Sequence, residues 1–369
     1  MSWQIYALHH RALDLAFVGL ILFIPQVLLA IPAGVLADRV DRRSVVMVTS
    51  LGEMGGVLVF AMLAAHGVHL RWPYFCVLGL VGVMHAMAAP AERSILASIV
   101  RGEHFVRAQA FTSSVGQVIN VAAPAVGGLL LAVGAPWAFA FAGFGYLLAA
   151  IGYTTLDARE QADSGSGGAI DGIRFLFAHP IVLGAISLDL FAVLFGGATA
   201  LLPIFALSIL HIGPVGFGFL RSAPAIGAGI TAYLISRRPI RRHAGRLLFT
   251  CVAAFGVATI VFGLSRNIWL SAIALLATGA FDMVSVVIRM ALVQLGTPDA
   301  LRGRVTAVEN IFIGASNELG AFESGAVAAW LGAEASVVLG GIATLAVIAL
   351  WATLFPSLRR LNELHREQA

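Results

Sequence analysis

Eleven long apolar segments run through this chain, at residues 14–36, 45–66, 73–98, 108–133, 136–156, 181–210, 214–236, 247–264, 268–295, 304–331 and 334–356. Each approaches or exceeds the roughly 20 residues that a helix needs to cross the hydrocarbon of a bilayer. Only 11% of residues are charged, against 59% hydrophobic, and the mean hydropathy is +0.92. A soluble domain carries about 25% charged residues to solvate its surface, so this chain is solvated by lipid instead. The 40 glycines and 13 prolines agree, because both are commoner in membrane helices and small residues let helices approach closely. The expected fold is an all-α membrane protein.

The connections alternate between short, nearly neutral turns and longer loops that carry arginine. All 23 basic residues are arginine. One set of connections, with the C-terminal tail, holds eighteen of them; the opposite set holds Arg71 and Arg266. Positive loops stay in the cytoplasm. That rule puts the arginine-rich side and the C-terminus inside, in a bacterial inner membrane. No basic stripe forms on a soluble module, so nucleic acid is not an expected partner. Cys76 and Cys251 fall near opposite ends of their helices, too far apart to bridge. Met1–His10 lacks the basic region, apolar core and cleavage site of a signal peptide.

An internal repeat organises the spans. Arg93, Leu96, Glu103 and Phe105 match Arg289, Leu292, Asp299 and Leu301 at a constant offset, which implies two six-helix halves. The expected division is a five-span bundle over 1–156, a cytoplasmic linker with an interfacial helix over 157–180, a six-helix bundle over 181–356, and a cytoplasmic tail over 357–369. The first helix of the first half is expected to be absent, with Trp3–His10 as its outer end.

The loop after the first segment reads Gly34-Val35-Leu36-Ala37-Asp38-Arg39-Val40-Asp41-Arg42-Arg43, and the fourth segment carries Ala123-Pro124-Ala125-Val126-Gly127-Gly128. The loop resembles the signature between the second and third helices of the major facilitator superfamily, with Asp41 where the family has glycine. The second stretch is similar to the kink of the fifth helix in antiporter members, centred here on Pro124, Gly127 and Gly128. Residues 281–289, 301–305 and 315–325 resemble the enterobactin-exporter-like branch. The resemblance implies a rocker-switch transporter whose two bundles tilt about a central cavity. It also implies a small-molecule substrate such as a siderophore or drug, exported against an inward flow of protons. An importer using the same carboxylates, and a non-transporting remnant, are the alternative readings.

Ionisable side chains within hydrocarbon cost about 2.5–3.5 kcal/mol each on insertion scales, so they mark function by default. Asp282, Ser285 and Arg289 share one helical stripe; they are read as cavity groups or as a buried polar pair. Asp189 is either a cavity group or an anchor. Glu309, Glu318 and Glu323 share a span with Asn317, and with Asp282 and Asp189 they are the proton-coupling candidates. Arg289, Ser285, Asn317, Arg221, Asn120 and Gln117 are the substrate-cavity candidates; Gln117 and Asn120 also suit helix–helix contact, and Arg221 also suits snorkelling. Glu53 is ambiguous in the same way, and His85 is read as a packing residue. Gly34, Asp38, Arg39, Arg42, Arg43 and Arg93 form a candidate cytoplasmic gate, with Asp38 facing the start of the span near Arg304. His66 and His69 lack a third ligand, so no metal is expected. No Walker loop, nucleophile elbow or zinc-protease motif occurs in the sequence, so neither a cofactor nor enzymatic activity is expected. A monomer is expected.

Overall fold

A computed structural model describes residues 1–100, 102–156, 169–240 and 242–362. The segments fold as helices because, in lipid, backbone polar groups have no water to bond and must be satisfied within the chain. In order, the helices are α1 (Ser2–His9), α2 (Ala12–Leu28), α3 (Ala30–Arg39), α4 (Arg42–Ala65), α5 (Arg71–Ile99), α6 (Gly102–Val133), α7 (Ala135–Thr154), α8 (Ala169–Ala178), α9 (Pro180–Phe195), α10 (Leu202–Ile204), α11 (Gly213–Arg237), α12 (Ala244–Leu264), α13 (Ile268–Gly296), α14 (Asp299–Leu331), α15 (Ala333–Leu354) and α16 (Pro356–Arg359). Among the described residues, eight spans are long and apolar enough to cross a membrane, or nine if α2 and α3 are one bent span. The glycine-rich α11 and the carboxylate-bearing α14 are long enough but are not among them.

The first expected span is broken. α2 and α3 meet at 52°. Pro32 has no N–H to offer the Leu28 carbonyl, which opens the helical ladder where the chain bends. A second break follows α9: Gly196 and Gly197 lead into a 3-10 turn at Ala198–Leu201, then α10 and a π turn at Phe205–Ile209. Non-helical backbone at membrane depth is tolerated where it borders a cavity, and here it does. The expected linker at 157–168 lies outside the described residues, as does the tail beyond 362. The expected interfacial helix is α8, whose Phe175 and Leu176 are buried with Val305 and Val308 of α14 while Ile173 and Phe177 stay exposed.

α2, α4, α5 and α7 pack on one another, and so do α9 and α11 to α15; the two groups meet where α2 lies on α14 and α6 lies on α11. Toward the arginine-poor end, α1 and α2 press Tyr6 and Leu15 into an apolar cluster with Leu201, Phe205, Leu220 and Phe262. Tyr6 also shares a hydrogen bond with Ser208 (2.9 Å), and Trp3 packs against Phe217 with the rings tilted by 39°. Exposed tryptophans ring the same end: Trp72, Trp137 and Trp269 start α5, α7 and α13, and Trp330 ends α14. Indole rings gather at the headgroup level of a bilayer, so the ring marks one membrane surface.

Asp41 accounts for the departure from the signature loop. Its carboxylate accepts from the Arg43 amide (3.1 Å) and from the Ser44 hydroxyl (3.4 Å), which makes it the N-cap of α4. Its φ of −52° needs no glycine.

Candidate functional site

A cavity of about 800 Å³ lies between the two groups of helices at the middle of their length. Each group contributes ionisable side chains to its wall. From the first come Glu53 of α4 and His85 of α5, with Gln26 of α2 and Tyr146 of α7; from the second come Arg221 of α11, Asp282 of α13, and Asn317 and Glu318 of α14. Apolar surface fills the intervals, from Leu15, Val18 and Leu22 on one side to Phe255 and Leu275 on the other. A mostly apolar wall with a few convergent polar groups is the pattern of a small-molecule site.

The helix pattern explains this convergence. On α13, Leu275, Thr278, Gly279 and Asp282 recur at spacings of three and four, as do Gly314, Asn317, Glu318 and Ala321 on α14. Each set forms one stripe of an α-helix. Glu53 is buried and holds His85, with Nδ1 to Oε1 at 3.3 Å, while the imidazole stays 69% exposed. Buried Glu53 thus holds a largely exposed histidine on the cavity wall. The Arg221 guanidinium donates to the Thr199 carbonyl at 2.9 Å, bracing the irregular turn after α9.

Several expected site residues lie elsewhere. Arg289 and Ser285 are buried rather than on the main cavity wall. Arg289 donates from Nε to Glu309 Oε1 at 3.0 Å and pairs through Nη1 with Asp189 Oδ2. The sequence stripe places Arg289 beneath Asp282 but cannot show that α9 and α14 bring carboxylates against it. Glu323 accepts from the Ser324 hydroxyl (3.3 Å) and does not line the cavity. Gln117 donates to the Ala225 carbonyl (2.9 Å) and joins α6 to α11, and Asn120 is exposed on α6.

α6 runs unbroken through Pro124; Gly127 has open space beside it, and Gly128 serves a helix crossing. A methyl group added at Gly128 would lie 2.7 Å from the Pro214 carbonyl oxygen, and one at Gly218 would lie 2.5 Å from the Pro124 carbonyl oxygen. Of the candidate gate, Gly34 has open space beside it, Arg39 and Arg93 are exposed, Arg42 donates to the Ala37 carbonyl (3.5 Å), and Arg43 donates to the Thr154 carbonyl (3.0 Å). The Asp38 side chain lies outside the described residues, and with it the expected latch.

Sequence reasoning missed Asp14. It is fully buried and bound to Arg71 at 3.3 Å, tying the start of α2 to the start of α5. Its signal was a carboxylate just inside an apolar segment.

The family described as transmembrane secretion effectors, a branch of the major facilitator superfamily, matches residues 1–368. The enterobactin exporter EntS of Escherichia coli O81 (strain ED1a) is 26% identical over 344 residues, covering 89% of this chain and 80% of that protein. EntS of Shigella boydii serotype 18 is 25% identical over the same shares. Among solved structures, a bacterial homologue of the human lysosomal transporter Spinster, inward-facing and occupied, superposes with a TM-score of 0.75 at 14% identity, over 94% of this chain and 90% of that one. A mutant of the nucleoside transporter NupG superposes at 0.71 and 14% identity, over 96% and 94%. With a family match along its length and this helical architecture, the chain belongs to the transmembrane secretion effectors of the major facilitator superfamily and is a membrane transporter, not an enzyme.

Proposed function

We propose that this chain is a proton-coupled exporter of small amphipathic molecules, siderophore-like or drug-like, working by rocker-switch alternating access. The observation that carries this reading is the cavity: both groups of helices place titratable side chains on one chamber at membrane mid-depth. Such groups are costly in hydrocarbon and persist where water or protein receives them. Asp282 and Glu318 are the preferred proton carriers, and Arg221, His85 and Asn317 orient substrate. The kinship with proteins named enterobactin exporters supports export and a siderophore-like cargo.

The helix crossings support a state closed at the arginine-poor end. Ala16 and Gly19 of α2 lie against Gly325 and Glu318 of α14, and Ser222 of α11 donates to the Val121 carbonyl of α6 at 2.8 Å. These contacts sit in the half of the molecule away from the arginine loops. We read the arginine-rich end as cytoplasmic and the two groups as five- and six-helix bundles, functioning as a monomer.

The test is loss of preloaded enterobactin from cells expressing the protein, with and without a protonophore. Loss is expected to be faster with the gradient intact, and Asp282→Asn or Glu318→Gln should remove the difference. Faster loss after the gradient is collapsed, or accumulation driven by it, contradicts export.

A further inference from the structure

Outside the main cavity, the second group of helices holds three charges in one knot. Arg289 of α13 lies between Asp189 of α9 and Glu309 of α14, and each is at most 6% exposed. Two carboxylates against one guanidinium leave a surplus negative charge buried within this group of helices. An uncompensated buried ion is strongly disfavoured, so the arrangement favours one additional proton. The neighbouring elements add Arg174 and His179 on α8 and its end, Arg246 and Cys251 on α12, Arg302 and Arg304 on α14, and Arg359 on α16. These lie toward the arginine-rich end, while Glu334, the titratable residue of α15, lies at the opposite end.

A void of about 10 Å³, room for about one water, is bordered by Asp189, Ser285 and Asp282. Asp282 also lines the main cavity. Val193 and Phe255 also border both spaces, and Asp282 is the titratable side chain among the three.

We propose that Asp189, Arg289 and Glu309 form a proton-holding site distinct from the substrate cavity, filled and emptied through Asp282 and the void beside Ser285. The O–H bond on Asp282 breaks, one water relays the proton, and an O–H bond forms on Asp189. Arg289 keeps its pairing with Glu309 while its ion pair with Asp189 is lost. Since α9 leads into the Gly196–Gly197 break on the cavity wall and α14 carries Glu318, occupancy of the site is linked to the shape of the cavity. The inference rests on the proton-coupled reading and adds a site to it.

The test is an infrared pH titration of the purified full chain in nanodiscs, which needs no substrate. The wild type is expected to show a protonated-carboxyl band at neutral pH, additional to any from Asp282 and Glu318, that Asp189→Asn and Glu309→Gln both lack. Asp189→Glu, which conserves the charge, should retain it and covers the case in which Asp189→Asn fails to fold. Asp282→Asn should keep the band but slow its loss after a pH jump by about a hundredfold. Absence of the band from the wild type, or its persistence in both neutral variants, overturns the site. Failure of the protonophore experiment instead overturns proton coupling while the infrared result still stands, so the two outcomes are separable.

Discussion

Arg289 and Arg93 occupy equivalent positions in the two repeats, yet their surroundings differ. Arg93 is exposed, while Arg289 is 4% exposed and held by two carboxylates. Replacing Arg289 with leucine leaves both carboxylates buried without a partner, which should cost about 3–5 kcal/mol. The expected outcome is a large loss of folded protein in a detergent thermal-stability assay, with Arg289→Lys much milder. Removing the α4 cap by Asp41→Ala should cost about 1 kcal/mol, seen as a small drop in melting temperature with transport retained. At this scale the sequence was half legible. Ionisable residues within apolar segments marked Asp282, Glu318 and Glu53, because depth alone makes them anomalous. Their partners were not legible: the pairing of Glu53 with His85, or of Asp14 with Arg71, joins residues 32 and 57 positions apart on different helices.

The elements follow the apolar pattern closely, except where backbone chemistry interrupts it. A hydropathy window sees 14–36 as one span and 181–210 as another, since proline and glycine barely alter an average. The structure bends the first at Leu29, between Pro25 and Pro32, and interrupts the α-helical winding of the second at the Gly196–Gly197 pair. The crossings between the two groups depend on small residues. At Gly19, a methyl group would lie 2.7 Å from the Glu318 carbonyl oxygen and 2.8 Å from the Phe322 amide. Both neighbours are backbone and cannot turn aside. Gly218→Val or Gly19→Val should therefore hold the arginine-poor end apart, with an overpacking cost of about 1–3 kcal/mol. Crosslinking between cysteines placed at the ends of α6 and α11 should fall in these variants. Unchanged crosslinking would show that the crossing tolerates the added bulk.

For the whole molecule, the asymmetry of arginine is the most readable feature, since orientation is decided by loop charge rather than by packing. The exposed tryptophans at the other end supply an independent boundary. Impermeant labelling of intact cells is expected to reach a cysteine in the loop around His69 and not one in the loop around Asp41. The reverse pattern would invert the molecule. The chamber between the two groups was not legible as a volume, because it depends on how far the groups stand apart, and no single helix encodes that distance. Alternating access requires water to reach that chamber from one side at a time. The direct measurement uses a variant with Cys76 and Cys251 replaced and Thr278→Cys introduced on the cavity wall, exposed to an impermeant thiol reagent from each face of sealed vesicles. Labelling is expected from the arginine-rich face at rest, and from the opposite face only once a proton gradient drives cycling. No labelling from either face, or equal labelling from both at rest, would contradict the account.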